Sequence, residues 1–133
     1  MKTLIRKTIA WTLAATGAAG AAHAQSLLFE RYGQALDDEL GNAVDGAADF
    51  DQDGLDDIVY GVPFKDTAGL TDNGFVRVVS AKTGNSLFLW EGDASHDHFG
   101  WSVAIAGDVN DDGWPDVVAG APKGVLEASL PSA

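Results

Sequence analysis

The chain has 133 residues, with 20 acidic against 8 basic side chains and a formal net charge of −12. Such an excess of negative charge excludes nucleic acid and anionic membrane surfaces as natural partners. Cysteine is absent, so no disulfide holds the chain together.

Residues 1–24 have the form of a bacterial targeting segment. Lys2, Arg6 and Lys7 make a basic start, Ile9 to Ala22 is apolar and rich in small residues, and Ala22-His23-Ala24 fits the small-x-small cleavage rule. The stretch is too short and too weakly hydrophobic for an anchor. It predicts cleavage after Ala24, a mature start at Gln25, and a secreted or periplasmic protein with no membrane insertion after cleavage. Loss of this segment leaves five basic against twenty acidic residues, a net charge of −15. An exported protein meets millimolar calcium, where sites of roughly 10⁻⁴–10⁻³ M are occupied. A bound cation is then the natural substitute for a disulfide.

The mature region reads as short strands. Alternating small and apolar residues through Val44–Ala48 lead into an acidic loop, Asp49–Asp57, and the apolar run Ile58–Gly61 leaves it. After a polar loop, Lys65–Asn73, the runs Phe75–Val79 and Leu87–Trp90 flank Ala81–Asn85 and predict a hairpin with glycine in its turn. A second acidic loop follows at Asp108–Asp116, and the run Asp116–Gly120 leaves it.

The two loops lie 59 positions apart and carry oxygen side chains at positions 1, 3, 5 and 9, with glycine at position 6. A hard cation such as Ca²⁺ takes about six to eight oxygen ligands at roughly 2.3–2.6 Å, and glycine permits the tight turn that gathers them. Candidate ligands are Asp49, Asp51, Asp53 and Asp57 in the first loop, with Asp108, Asn110, Asp112 and Asp116 in the second. The carbonyls of Leu55 and Trp114, at position 7, would complete two Ca²⁺ cages. Two carboxylates about 4 Å apart repel by roughly 4 kcal/mol at an effective dielectric near 20. An empty first loop is therefore expected to splay or take up protons. An EF-hand would need glutamate at position 12 and flanking helices, but Tyr60 and Ala119 stand there and strands follow. Dockerin-type repeats fail for the same reason and lie closer together.

Self-similarity extends beyond the loops. Residues 26–63 superpose on 85–122 without a gap, and 15 of the 38 positions are identical. A period of this size marks propellers, solenoids or arrays, and four short antiparallel strands per period make one propeller blade. The order Phe99-Gly100, the loop Asp108–Asp116, then Gly120-Ala121-Pro122 resembles the FG-GAP repeat. That repeat builds the β-propeller head of integrin α subunits and occurs in bacterial exported proteins. In the first copy Leu40-Gly41 and Gly61-Val62-Pro63 take the corresponding places. The resemblance implies an all-β fold of four-stranded antiparallel blades. It also implies Ca²⁺ in the loops as a structural brace, and an adhesion-like or other protein-interaction role.

The expected organisation is a signal peptide at 1–24, a first repeat at 25–84, an incomplete second repeat at 85–122 and a tail at 123–133. Fewer than two blades are present, whereas propellers close with about four to eight. The chain therefore reads as a fragment of a longer propeller, with self-assembly as the alternative. The tail could add a short strand at Val125–Ala128.

Other features carry less. His96-Asp97-His98 is expected in an exposed loop rather than in a zinc site. Trp90 and Trp101 are expected to pack between blades, and Trp114 to stand exposed where a protein or glycan could touch it. No nucleophile elbow, His-Glu-x-x-His or phosphate loop occurs, so no catalytic residue and no enzyme activity are expected. The alternative reading is an accessory propeller piece of an exported hydrolase.

Overall fold

The computed structural model describes residues 8–12 and 27–124, and within them the chain is all β. In order, the strands are β1 (Thr8–Thr12), β2 (Leu27–Tyr32), β3 (Ala43–Ala48), β4 (Asp57–Val62), β5 (Phe75–Val79), β6 (Ser86–Glu91), β7 (Ser102–Gly107) and β8 (Asp116–Gly120). Strands β3 to β6 form one antiparallel meander in the order β3-β4-β5-β6, while β1-β2 and β7-β8 are two-stranded sheets. Most of the targeting segment and the tail strand at 125–128 lie outside the described residues.

The 59-residue period is also the period of the strands. Shifted by 59, β2 falls on β6, β3 on β7, and β4 starts with β8. The four-stranded sheet is thus one whole blade, β7-β8 begins the next, and β2 is the outer strand of a preceding one. The first blade crosses the expected boundary between residues 84 and 85, because β6 completes its sheet. Strand β1 pairs with β2 in the register that β5 uses with β6. Thr8 faces Tyr32 as Phe75 faces Glu91, and both ladders slip at the same place near the far end. Part of the expected targeting segment therefore occupies a third-strand position.

Burial explains the sequence pattern. All six residues of β4 are buried, because neighbours cover both faces of the sheet. Side chains alternate along a strand. Ile58, Tyr60 and Val62 join Leu40, Phe75 and Val79 on one face. On the other face Phe50, Val59, Val76 and Val78 meet Val103, Ile105 and Val117 of the next sheet. A continuous apolar run is the expected signature of such a two-sided strand. By contrast Val118 in β8 is 58 % exposed, since among the described residues no further strand covers it.

The blades meet through backbone. A Cβ on Gly61 would overlap the carbonyl of Gly100, so the two sheets approach this closely only because both residues are glycine. Gly41 N–H donates to the Gly61 carbonyl at 3.2 Å, and Gly100 N–H repeats the bond to Gly120 at 3.0 Å. The Asp45 carboxylate accepts the Ile105 N–H at 2.8 Å, fastening β3 to β7.

Candidate metal centre

Both acidic loops connect the first two strands of their sheets and stand at the same end of the fold. In the first, one carboxylate oxygen each from Asp49, Asp51 and Asp57 lie within 4.8 Å of one another. Oxygens sharing one Ca²⁺ at about 2.3–2.6 Å are separated by at most about 5 Å, so this trio is gathered closely enough to share an ion.

Backbone donors set the geometry. Asp49 Oδ1 accepts the Asp53 N–H at 3.0 Å, and Oδ2 accepts the Gly54 N–H at 2.8 Å. Asp51 also accepts from Asp53 N–H at 3.2 Å, and Asp53 Oδ1 accepts from Leu55 at 3.0 Å. Asp57, fully buried, accepts Phe50 N–H at 2.7 Å and Ala81 N–H at 3.1 Å. Gly54 turns the chain with φ at 91°, in the left-handed region that glycine tolerates. Asp53 is absent from the close trio, and its carboxylate faces the loop exit. Leu55 follows it with an exposed side chain.

Backbone N–H groups meet the negative charge of the gathered carboxylates. Desolvation tends to raise the Asp49 pKa, but donation from Gly54, Asp53, Gln52 and Asp51 outweighs it and the net shift is downward. Burial raises the Asp57 pKa, opposed by Phe50 and Ala81 and reinforced by Asp51 and Asp49.

The second loop repeats the framework. Asp108 accepts Asp112 N–H at 3.0 Å and Gly113 N–H at 2.7 Å, while Asn110 accepts Asp112 N–H at 3.0 Å. Asp112 accepts Trp114 N–H at 2.9 Å, and Asp116 accepts Val109 N–H at 2.8 Å. Asn110 replaces Asp51, and among the described residues no three carboxylates gather here as in the first loop. Asn110 Nδ2 instead donates to Asp112 at 2.9 Å.

Trp90 is 42 % exposed and stacks on Phe88, with ring centroids 5.6 Å apart. Trp101 and Trp114 are about equally exposed. Trp90 and Trp114 line an apolar cavity of about 780 Å³ with Phe50, Phe88, Val117 and Ala119, beside the edge of β8 that is unpaired among the described residues. His96 is exposed as expected, but His98 is buried between Phe64 and Trp101. Sequence reasoning assigned no role to Asp38 and Asp97, an identical pair in the repeat. Asp38 Oδ2 accepts the N–H groups of Gln34 and Ala35, and Asp97 repeats the latter bond to Ala94.

A four-stranded antiparallel meander whose two central strands are buried on both faces, and whose strand positions recur at a fixed offset, defines a β-propeller type of repeat protein. The chain belongs to the FG-GAP repeat family, whose sequence profile matches residues 40–79 and 99–128. It is 33 % identical to integrin alpha-4 of Xenopus laevis over 109 residues, covering 79 % of this chain and 10 % of the relative. Integrin alpha-V of Gallus gallus is 36 % identical over 89 residues, covering 66 % of this chain and 8 % of the relative. Integrin alpha pat-2 of Caenorhabditis elegans is 36 % identical over 95 residues, covering 56 % and 7 % respectively. The chain thus spans about a tenth or less of the length of these relatives.

Proposed function

We propose that this chain is an exported, calcium-binding piece of a longer FG-GAP propeller, serving as a structural or protein-interaction module. One observation carries the metal reading: Asp49, Asp51 and Asp57 bring ligand oxygens within 4.8 Å of one another. The ion would neutralise the carboxylates and pin the crossing from β3 to β4, and its counterpart would do the same from β7 to β8. Asp53 and Asp112 would rotate from the Leu55 and Trp114 N–H groups to complete the shells. The carbonyls of Leu55 and Trp114 would supply the position-7 oxygens.

Among the described residues β8 pairs only with β7, which supports the fragment reading. The cavity beside β8 has the size and apolar lining that further strands of that sheet would fill. On the other side, cleavage after Ala24 would remove β1 and free the edge of β2 for the third strand of a preceding blade. An interaction role follows from likeness to integrin α subunits, and the acidic surface favours a cationic or polar protein face as partner. Calorimetric titration of Ca²⁺ into chelator-treated protein tests the metal reading. Two sites are expected, Asp53→Ala removing one and Asp112→Ala the other. Heat equal to dilution contradicts it.

A further inference from the structure

At the end of the blade opposite the acidic loops, two connections are laced together. The β4–β5 loop and the β6–β7 connection run side by side. His96 N–H donates to Thr71 at 2.7 Å, His98 N–H to Asp72 at 3.1 Å and Phe99 N–H to Asn73 at 2.9 Å. This lacing brings Asp72, His96 and His98 together, with one ligand atom from each lying within 4.8 Å of the other two. Asp72 Oδ2 and His96 Nδ1 are 3.4 Å apart. All three residues have left-handed backbone, with φ of 47°, 66° and 55°.

His98 supplies an independent observation. Its side chain is buried, with only 4 % exposure, and Nδ1 has no hydrogen-bond partner among the described residues. A buried polar atom left in that state costs about 1–3 kcal/mol unless something occupies it. Its ring is held by Phe64, with centroids 4.6 Å apart, and by Trp101 at 6.2 Å.

We propose that Asp72, His96 and His98 form a site for a divalent transition metal of the zinc type, with a water in the fourth position. Tetrahedral ligands at about 2.0–2.2 Å from zinc stand about 3.3–3.6 Å apart. The Asp72–His96 separation already meets that requirement, and His98 offers a ligand atom within 4.8 Å of both. Two imidazoles and one carboxylate suit zinc, cobalt or nickel better than calcium, which takes oxygen ligands. The ion fastens the β4–β5 loop to the connection leading into the next blade, independently of the acidic loops.

The test is titration of Co²⁺ into the full chain held in saturating Ca²⁺, read by visible absorption. One equivalent is expected to give the intense bands of four-coordinate cobalt, and Zn²⁺ to displace them. His98→Ala could unfold the chain, so the deciding variants are His96→Ala, whose side chain is 62 % exposed, and Asp72→Asn. Each is expected to keep the metal-free melting temperature and to weaken Co²⁺ binding about tenfold or more. Unchanged affinity in both variants overturns the proposal. So does binding without four-coordinate bands that disappears in Asp53→Ala or Asp112→Ala.

Discussion

The carboxylate of Asp57 accepts the backbone N–H of Phe50 at 2.7 Å, tying the last residue of the acidic loop to its second. Asp116 makes the same closure to Val109 at 2.8 Å. Asp57 also reaches Ala81 in the β5–β6 turn, at 3.1 Å, and so joins two connections at one end of the blade. It is a structural residue as well as a candidate ligand.

Replacing Asp57 with alanine leaves two N–H groups without their charged acceptor. The expected loss is about 3 kcal/mol, measurable as a lowered denaturant midpoint even in chelator. Asp116→Ala removes one such bond at a half-buried position, and its cost should be the smaller of the two. Equal effects would contradict the role assigned to the Ala81 contact.

The two perturbed carboxylates of the first loop make opposite demands on pH. Asp57 holds its proton more tightly folded than unfolded, so its ionisation opposes folding above its native pKa. That opposition fades as pH falls through the native value towards the ordinary 3.8. Asp49 has a native pKa below 3.8, so its stabilisation is present above 3.8 and is lost as pH falls further. The melting temperature of metal-free protein should therefore rise as pH falls through the native Asp57 pKa and fall again below 3.8, and Asp57→Asn should remove the rise. A melting temperature that only falls on acidification would contradict the Asp57 assignment.

Much of this was legible because the chain repeats. The loops, the glycines at their bends and the four strands per period all follow from residue type and offset. Paired strands bury alternate faces, so the pattern at Ile58–Val62 and Phe75–Val79 points to a sheet covered on both sides. The burial of His98 was not legible, since Phe64 and Trp101 reach it from different connections. Nor was Asn73, which is fully buried and donates to the Gly92 carbonyl at 2.9 Å. Asn73 lies outside the 26–63 segment whose internal match was visible. The strand position of Thr8–Thr12 was hidden by a composition that reads as a targeting segment.

Two glycines with similar backbone angles should respond differently to alanine. Gly54 has φ of 91° and open space where a Cβ would stand, so Gly54→Ala should cost only conformational strain, about 1 kcal/mol. Gly100 has φ of 88° and lies against Phe75 and Gly61 backbone, so Gly100→Ala must also part the two sheets. It should cost at least about twice as much. Comparable melting temperatures for the two variants would show that the sheets do not meet as described.

The proposed function turns on the acidic loops being calcium sockets, each pinning the crossing between the first two strands of its sheet. Its most direct test is thermal unfolding of the chelator-treated protein with and without about 1 mM Ca²⁺. Two sites with Kd near 10⁻⁴ M predict about 3 kcal/mol of added stability and a clear rise in melting temperature. That rise should vanish in the Asp49→Ala, Asp108→Ala double variant. An unchanged melting temperature in the unaltered protein, with calcium in excess, would contradict the account.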